Sequence, residues 1–588
     1  MTTTQKPDQL AAPATTITVG ETAEAFVEAL VAQGVECLFL NPGTDTFPVQ
    51  EAVRKIEEQG RAAPRVVLCL FEIVALAAAH GYYAATGRPQ AVLVHVDVGT
   101  QNLGSMLHNA QRGRAAVVIA AGRAPYTSDP MERGSRSSYI HWLQEQLDQH
   151  GIVRNYTKWD YELRRADQVG EVVNRAFQVA ASDPPGPVYM TLPRELLMEQ
   201  VGQPRLYSAD RFRPAKLGSG DRGALDMAAR WLVEASDPLV LTADVGKDSK
   251  GYVALQSLAE QLALPVVEWR NRANFPGAHP LHQGYEATEL AERADVILVV
   301  DHDVPYIPTS TNLREDVRVI QIDIDPVKER IPLWTYPVDL PIKAASALAL
   351  EHLSEYVSQS LRDDHKSGIE SRRGRLAERH ERLRDDWKGD ALAAGEGADI
   401  TPTWLGYCLG RLAEEHADLV VVDEMVTSNS AVWKQFPVTR PESWYVSGGS
   451  GLGWGLGAGL GVKLARPDQQ VISLVGDGSF VFGAPTAALW AMEVQNAPVM
   501  VVIFNNACYN ATKSPLVASY PEGISVATDR FVGVDLAPPP RYDVIAHAVG
   551  AYGAQVSAPD ELLDALRRGL ESVRNGTTAV IDVQLRRP

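Results

Sequence analysis

Short unbroken apolar runs recur along this chain, and each ends in a polar or glycine-rich cluster. Within residues 17 to 205 they are VECLFLNPG, VVLCLFE, AVLVHVDVG, AAVVIAAG and GPVYMTLP. LVLTADVG, LPVVEWRN, ADVILVVDHD and VRVIQIDIDP follow, then DLVVVDE, QVISLVGDG, PVMVVIFNN and TAVIDVQL. A strand with one wet face would alternate apolar and polar positions; a continuously apolar strand is covered on both faces, as in a parallel sheet. Stretches of helical period separate the runs, Glu21–Gln33 and Ala487–Gln495 among them. Strand and helix in alternation predict an α/β fold of doubly wound parallel sheets.

The runs fall into three blocks of similar texture. Residues 17–205 and 206–355 form the first two, and 395–588 the third, so three doubly wound domains are expected. Residues 356–394 read as a charged helical linker, solvated along its length, and residues 1–16 as a disordered tail. A chain of 588 residues exceeds one core at roughly 150 residues per domain.

A net charge of −18 argues against a nucleic-acid partner, because phosphate backbones select basic surfaces. Four widely spaced cysteines, Cys37, Cys69, Cys408 and Cys508, form neither a disulfide framework nor a zinc signature. No apolar stretch is long enough to span a membrane, and the N-terminus lacks the apolar core of a signal peptide. A cytoplasmic location is expected.

The chemistry-bearing clusters sit at the ends of the apolar runs. Gly476-Asp477-Gly478-Ser479 follows one run, and Asn505-Asn506 ends another. Open α/β sheets bind ligands at the carboxyl ends of their strands. One carboxylate and one amide oxygen beside glycine turns suit a hard cation that shares oxygens with phosphate, Mg²⁺ being the usual occupant. Glu72, charged amid VVLCLFEIVALAAAHGYYAATG, follows a strand and opens an alanine-rich helix; an apolar setting raises a carboxyl pKa and suits proton sharing. SGGSGLGWGLGAGLG, residues 447–461, lets backbone approach a flat ring closely, or reads simply as a glycine-rich helix packed tightly on the sheet. Thr427 and Ser428, after the strand DLVVVDE, could hold phosphate oxygens at a helix N-terminus or simply cap it. His95 sits at the end of an apolar strand beside Gly99-Thr100-Gln101-Asn102, in reach of acid–base work.

These clusters together resemble the thiamine diphosphate enzymes of the decarboxylase and acetolactate synthase group, over nearly the whole chain. The resemblance implies three domains in the order pyrimidine-binding, central and diphosphate-binding. It implies that Glu72 engages the aminopyrimidine, that the Ser450 carbonyl holds its amino nitrogen, and that Leu452 forces the cofactor to bend. Asp477, Asn506 and the backbone carbonyl of Cys508 then hold Mg²⁺, while Gly478, Ser479 and Tyr509 join Thr427 and Ser428 at the diphosphate.

Locally, NPGTDTFP (residues 41–48, with Thr44) and VLVHVDVGTQN (residues 92–102, with His95) are most similar to benzoylformate decarboxylase. His302 is the weak candidate for that enzyme's second histidine. The run with His141, Gln144 and Gln146, and RNRANFPGAHPLHQG at 270–284, are more similar to the acetolactate synthases and leave FAD open as an occupant of the central domain. The expected activity is a thiamine diphosphate-dependent carboxy-lyase acting on a 2-oxo acid through a C2-bound enamine. The alternatives are acetolactate synthase-like carboligation, a 2-hydroxy carbonyl or acyl-CoA lyase, and a catalytically silent cofactor-binding protein. A homodimer or homotetramer with the active site at the subunit interface is expected.

Overall fold

The computed structural model describes residues 15–16, 19–436 and 438–588. They form two bodies: residues up to Ala215 together with Ser447–Ala465, and Lys216–Val446 together with Arg466–Pro588.

The first body holds a six-stranded sheet in the order Arg65–Leu68, Cys37–Leu40, Gln90–Val94, Val117–Arg123, Val188–Pro193 and Asp160–Glu162. Every pairing is parallel, so helical crossovers cover both faces and the inner strands are buried along nearly their whole length. The second body holds two sheets. Its central sheet runs Val266–Glu268, Pro238–Thr242, Val296–Val300, Arg318–Asp323 and Leu340–Lys343, again all parallel. The other runs Trp444–Val446, Leu419–Glu424, Gln470–Gly476, Met500–Asn505, Ala579–Gln584 and Tyr552–Val556. Numbered along the chain, the two six-stranded sheets share the order 2-1-3-4-6-5. In both, strand order reverses beside the first strand, which is where such sheets open a ligand crevice.

The α/β class and the parallel sheets agree with the sequence pattern; several details differ. Of the stretch read as a disordered tail, residues 1–14 lie outside the described residues, and Thr15–Thr16 pair antiparallel with Arg205–Leu206. The strand anticipated over AVLVHVDVG stops at Val94, and Val96–Asn102 is a helix with His95 at its N-cap position. The charged stretch becomes a 33-residue helix, Asp363–Gly395, that is not solvated all round. Arg372, Leu376, His380, Trp387 and Ala391 form a buried stripe at helical spacing. Arg372 donates from Nη2 to the Leu262 carbonyl (2.7 Å) and from Nε to the Ala263 carbonyl (3.1 Å), satisfying acceptors left over at a helix end.

In the first body, the helix Glu72–Thr86 packs along the glycine-rich helix Trp454–Ala465. Their backbones approach so closely that a Cβ on Gly461 would lie 1.9 Å from the Ala78 carbonyl oxygen, and one on Gly81 2.4 Å from the Ala458 carbonyl. Trp454 Nε1 donates to His80 Nδ1 at 3.1 Å across the same interface. Glycine at these sites is thus a packing requirement. Replacing Gly461 with alanine improves helix propensity by about 1 kcal/mol, but the methyl meets backbone that cannot turn aside. The expected outcome for Gly461→Ala is a net loss of about 1–3 kcal/mol in unfolding free energy, measured in urea.

Candidate functional site

The carboxyl edge of the first sheet gathers the predicted acid–base residues. Glu72, 4% exposed, begins its helix directly after the Arg65–Leu68 strand, and its carboxylate is held at both oxygens. Asn41 Nδ2 donates to Oε1 at 2.6 Å and Asn102 Nδ2 to Oε2 at 3.1 Å. The apolar setting expected for Glu72 is therefore replaced by an amide clamp contributed by the end of the Cys37–Leu40 strand and the end of the Val96–Asn102 helix. Gly99 lies between Glu72 and His95: a Cβ there would sit 3.1 Å from Glu72 Oε1 and 3.4 Å from His95 Cβ.

The residue that sequence reasoning missed is Asp45. Its buried carboxylate binds His95 Nδ1 and accepts from the Val96 N–H at 3.3 Å. Two glycines clear the space: a Cβ on Gly122 would lie 1.3 Å from Asp45 Oδ2, and one on Gly43 1.9 Å from His95 Nδ1. Burial alone would push the His95 imidazole down, but the Asp45 hydrogen bond and charge, helped by Asp97 and Glu72, leave its pKa raised. Thr44, one position earlier, points outward, and its backbone carbonyl accepts from Arg194 Nη1 at 2.9 Å. The signal was present in NPGTDTFP, an acidic residue in a loop at the edge that carries His95.

Ser450 and Leu452 belong to the same body, just ahead of the glycine-rich helix. Asn109 clamps this turn by donating to the Gly451 carbonyl (2.7 Å) and accepting from the Gly451 N–H (2.9 Å), and Ser450 Oγ meets His108 Nε2 at 3.2 Å.

The predicted cation and phosphate ligands converge in the second body, at the edge of the Leu419–Glu424, Gln470–Gly476 and Met500–Asn505 strands. Asp477 opens a short helix with its Oδ1 accepting from the Gly478 N–H at 2.7 Å. Its Oδ2 is buried and has no hydrogen-bond partner among the described residues. Burial raises the Asp477 pKa, and the nearby Gly478, Ala507 and Cys508 amides oppose that only in part. An orphaned carboxylate oxygen of this kind fits a cation. Asn506 Oδ1 accepts from the Cys508 N–H at 3.0 Å and keeps a second lone pair. The Tyr509 ring lies over Gly478, where a Cβ would come within 2.5 Å. Thr427, Ser428, Asn506, Asn510 and Arg586 line one cavity of about 270 Å³. As expected, Ser428 stands at a helix N-terminus: it is the N-cap residue of the seven-residue helix Asn429–Gln435, without a side-chain capping bond, and Val426–Ser428 form a 3₁₀ turn ahead of it with Val426 at φ +57°.

His302 is buried at the end of a central strand, and burial pushes its pKa down to about 4. Arg270, from the run that resembles the synthases, is fully buried, pairs with Glu268 at 3.3 Å and donates to the Phe436 carbonyl at 2.8 Å.

Three models of the thiamine pyrophosphate enzymes match this chain: the N-terminal binding domain over residues 20–152, the central domain over 225–353, and the C-terminal binding domain over 425–583. The chain belongs to the thiamine pyrophosphate enzyme family. Among curated relatives, it is 27% identical to the acetolactate synthase isozyme 3 large subunit of Escherichia coli, covering 95% of this chain and 94% of that one. It is 26% identical to a benzoylformate decarboxylase of Pseudomonas aeruginosa, covering 94% and 96%. A solved thiamine diphosphate-dependent 4-hydroxybenzoylformate decarboxylase of Rhodococcus jostii shares the fold, with a TM-score of 0.76 at 22% identity over 97% of this chain and 99% of that one. Its relatives in the family thus include decarboxylases and acetolactate synthases alike.

The amide clamp makes a prediction. Asn41→Asp would set a second carboxylate 2.6 Å from Glu72 Oε1. Two carboxylates sharing a site raise one pKa above its unfolded value, so native stability falls above that pKa and returns as the pH drops through it. Urea unfolding of this variant is expected to show a deficit of about 1–3 kcal/mol at pH 7.5 that shrinks at pH 5.

Proposed function

We propose that this enzyme carries out non-oxidative decarboxylation of a 2-oxo acid with thiamine diphosphate and Mg²⁺, releasing CO₂ and an aldehyde. The observation that carries the reading is the first sheet's carboxyl edge, where clamped Glu72 and a paired histidine, His95, flank Gly99.

Thiamine diphosphate, when bound, supplies a nucleophilic carbon and an electron sink for the bond beside the substrate carbonyl. Glu72 would hold the aminopyrimidine, its orientation fixed by Asn41 and Asn102. Ser450 and Leu452 would support the rings. Thr427, Ser428, Gly478, Ser479 and Tyr509 would hold the diphosphate, with Mg²⁺ on Asp477 Oδ2, the Asn506 side chain and the Cys508 carbonyl. Thr44 offers an exposed hydroxyl to the substrate. His95 delivers a proton to the former carbonyl carbon after CO₂ leaves. Glu72 and the diphosphate cavity belong to different bodies of the chain, and the active site is proposed to form between subunits of a homodimer or homotetramer.

FAD is not part of this proposal. The carboxyl edge of the central sheet presents Asp301 and Asp323, whose lysine partners Lys247 (3.2 Å) and Lys328 (2.5 Å) are engaged by those carboxylates rather than offered to a pyrophosphate. Among the described residues no helix is long and apolar enough to cross a membrane. The second reading is carboligation, favoured by the nearly full-length likeness to an acetolactate synthase subunit.

The test is CO₂ release from a panel of 2-oxo acids, pyruvate and benzoylformate included, with thiamine diphosphate and Mg²⁺. One aldehyde per CO₂ is expected; a 2-hydroxy-2-alkyl acid in place of aldehyde would turn the assignment to carboligation, and no release from any acid would end it. Glu72→Gln is expected to lower turnover at least a hundredfold. For Asp477→Ala, calorimetric titration is expected to show thiamine diphosphate binding that no longer tightens when Mg²⁺ is added.

A further inference from the structure

Asp45 is a buried acid at the first sheet's edge for which the proposed reaction has no use. It lies in the loop 41–46, held by Arg194 through the Thr44 carbonyl and by mutual bonds between Thr46 Oγ1 and the Gly43 backbone at 3.1 Å. Two glycines, Gly43 and Gly122, are required at its contacts, so the fold makes room for this carboxylate beside this imidazole. The bond uses His95 Nδ1, which leaves Nε2 as the free end of a ring whose side chain is 21% exposed, against 2% for Asp45.

We propose that Asp45 is a positioning residue that fixes His95 as a proton donor at Nε2, and thereby commits the enzyme to protonating the carbon that has lost CO₂ rather than joining it to a second carbonyl. This rests on the decarboxylase reading above. In the step, the bond to the carboxylate carbon breaks and CO₂ departs. The electron pair left behind takes the proton from Nε2–H, a C–H bond forms, and His95 regains a proton from water. One proton is consumed per aldehyde released.

The groups facing the pair come from every neighbouring element: Asp97 from the helix after His95, Glu72 from its own helix, His141 from the short helix Ile140–Leu143, and Arg194 beyond Asp45. The carboxylates favour the charged ring, and Asp45 is the only one of them bonded to it. Because the His95 pKa is raised on folding, the stability from the pair is complete below the ordinary imidazole value and is lost as the pH rises through the raised one. Proton donation fails over the same upper window.

The experiment is Asp45→Asn, which keeps the shape and removes the charge. Histidine Cε1 resonances are followed against pH in the protein without cofactor, with His95 assigned by its absence in His95→Gln. The expected result is a lower His95 titration midpoint. With cofactor, 2-oxo acid and added aldehyde, the ratio of released aldehyde to 2-hydroxy ketone is expected to fall at least about fivefold, and the alkaline limb of aldehyde release to move to lower pH. Gly122→Ala, whose methyl would collide with Asp45 Oδ2 without changing any charge, is expected to reproduce both effects. An unchanged midpoint overturns the proposal whatever the enzyme's activity. A lower midpoint with an unchanged product ratio overturns the role in partition. If the parent protein releases no CO₂ while the midpoint still falls in Asp45→Asn, the decarboxylase reading fails and only the pairing stands.

Discussion

Backbone contact between two helices is the constraint on which much of the first body rests. The helix beginning at Glu72 and the glycine-rich helix Trp454–Ala465 meet backbone to backbone at Gly81 and Gly461, and at Gly457 across the Ala77 methyl. Such a contact has almost no slack, because a carbonyl oxygen cannot rotate away as a side chain can. It sets the depth and tilt of the helix whose first residue is Glu72. It also carries along the turn holding Ser450 and Leu452, which Asn109 then locks by two hydrogen bonds. Alanines at Ala77 and Ala78 complete the surface by being small enough to let the glycines in.

The two carboxyl edges follow different electrostatic rules. At the first sheet, amides, carboxylates and an imidazole pair with one another: Asn41 and Asn102 each donate to one Glu72 oxygen and Asp45 balances His95, while one buried Asp97 oxygen has no hydrogen-bond partner among the described residues. At the other six-stranded sheet, Asp477 keeps one buried oxygen without a donor, and hydroxyls and amides surround an open cavity. An edge of acids, amides and imidazole bonded in pairs is suited to holding and moving protons; a bare carboxylate oxygen beside a polar cavity is suited to a cation and phosphate.

The class of fold was legible because a parallel sheet with both faces covered writes itself as continuous apolar runs. The strands it concealed lie at sheet edges: Asp160–Glu162, Leu340–Lys343 and Tyr552–Val556 carry polar residues and lose the signature, and Trp444–Val446, though apolar, is only three residues long. AVLVHVDVG misled for the opposite reason, since its apolar valines continue past Val94 into a buried helix. Likewise the charged 363–395 stretch hid a narrow buried stripe beneath its ionic content. The site residues in glycine or amide motifs could be named from spacing alone. Asp45 could not, because its meaning lies in a bond across fifty positions of chain and in the two glycines that vacate space for it.

The shared 2-1-3-4-6-5 strand order has a consequence for how such a molecule can change. One architectural plan is used twice, and each copy exposes the same rim of loops while its interior is occupied by apolar strands. Specialisation is therefore carried by a few rim positions together with the small residues that make room for them, as Gly43 and Gly122 do for Asp45 and His95. The rim bearing Asp45 and His95 can be rewritten for a new substrate while the cation ligands on the rim bearing Asp477 stay untouched, provided Glu72 and its two amides are kept.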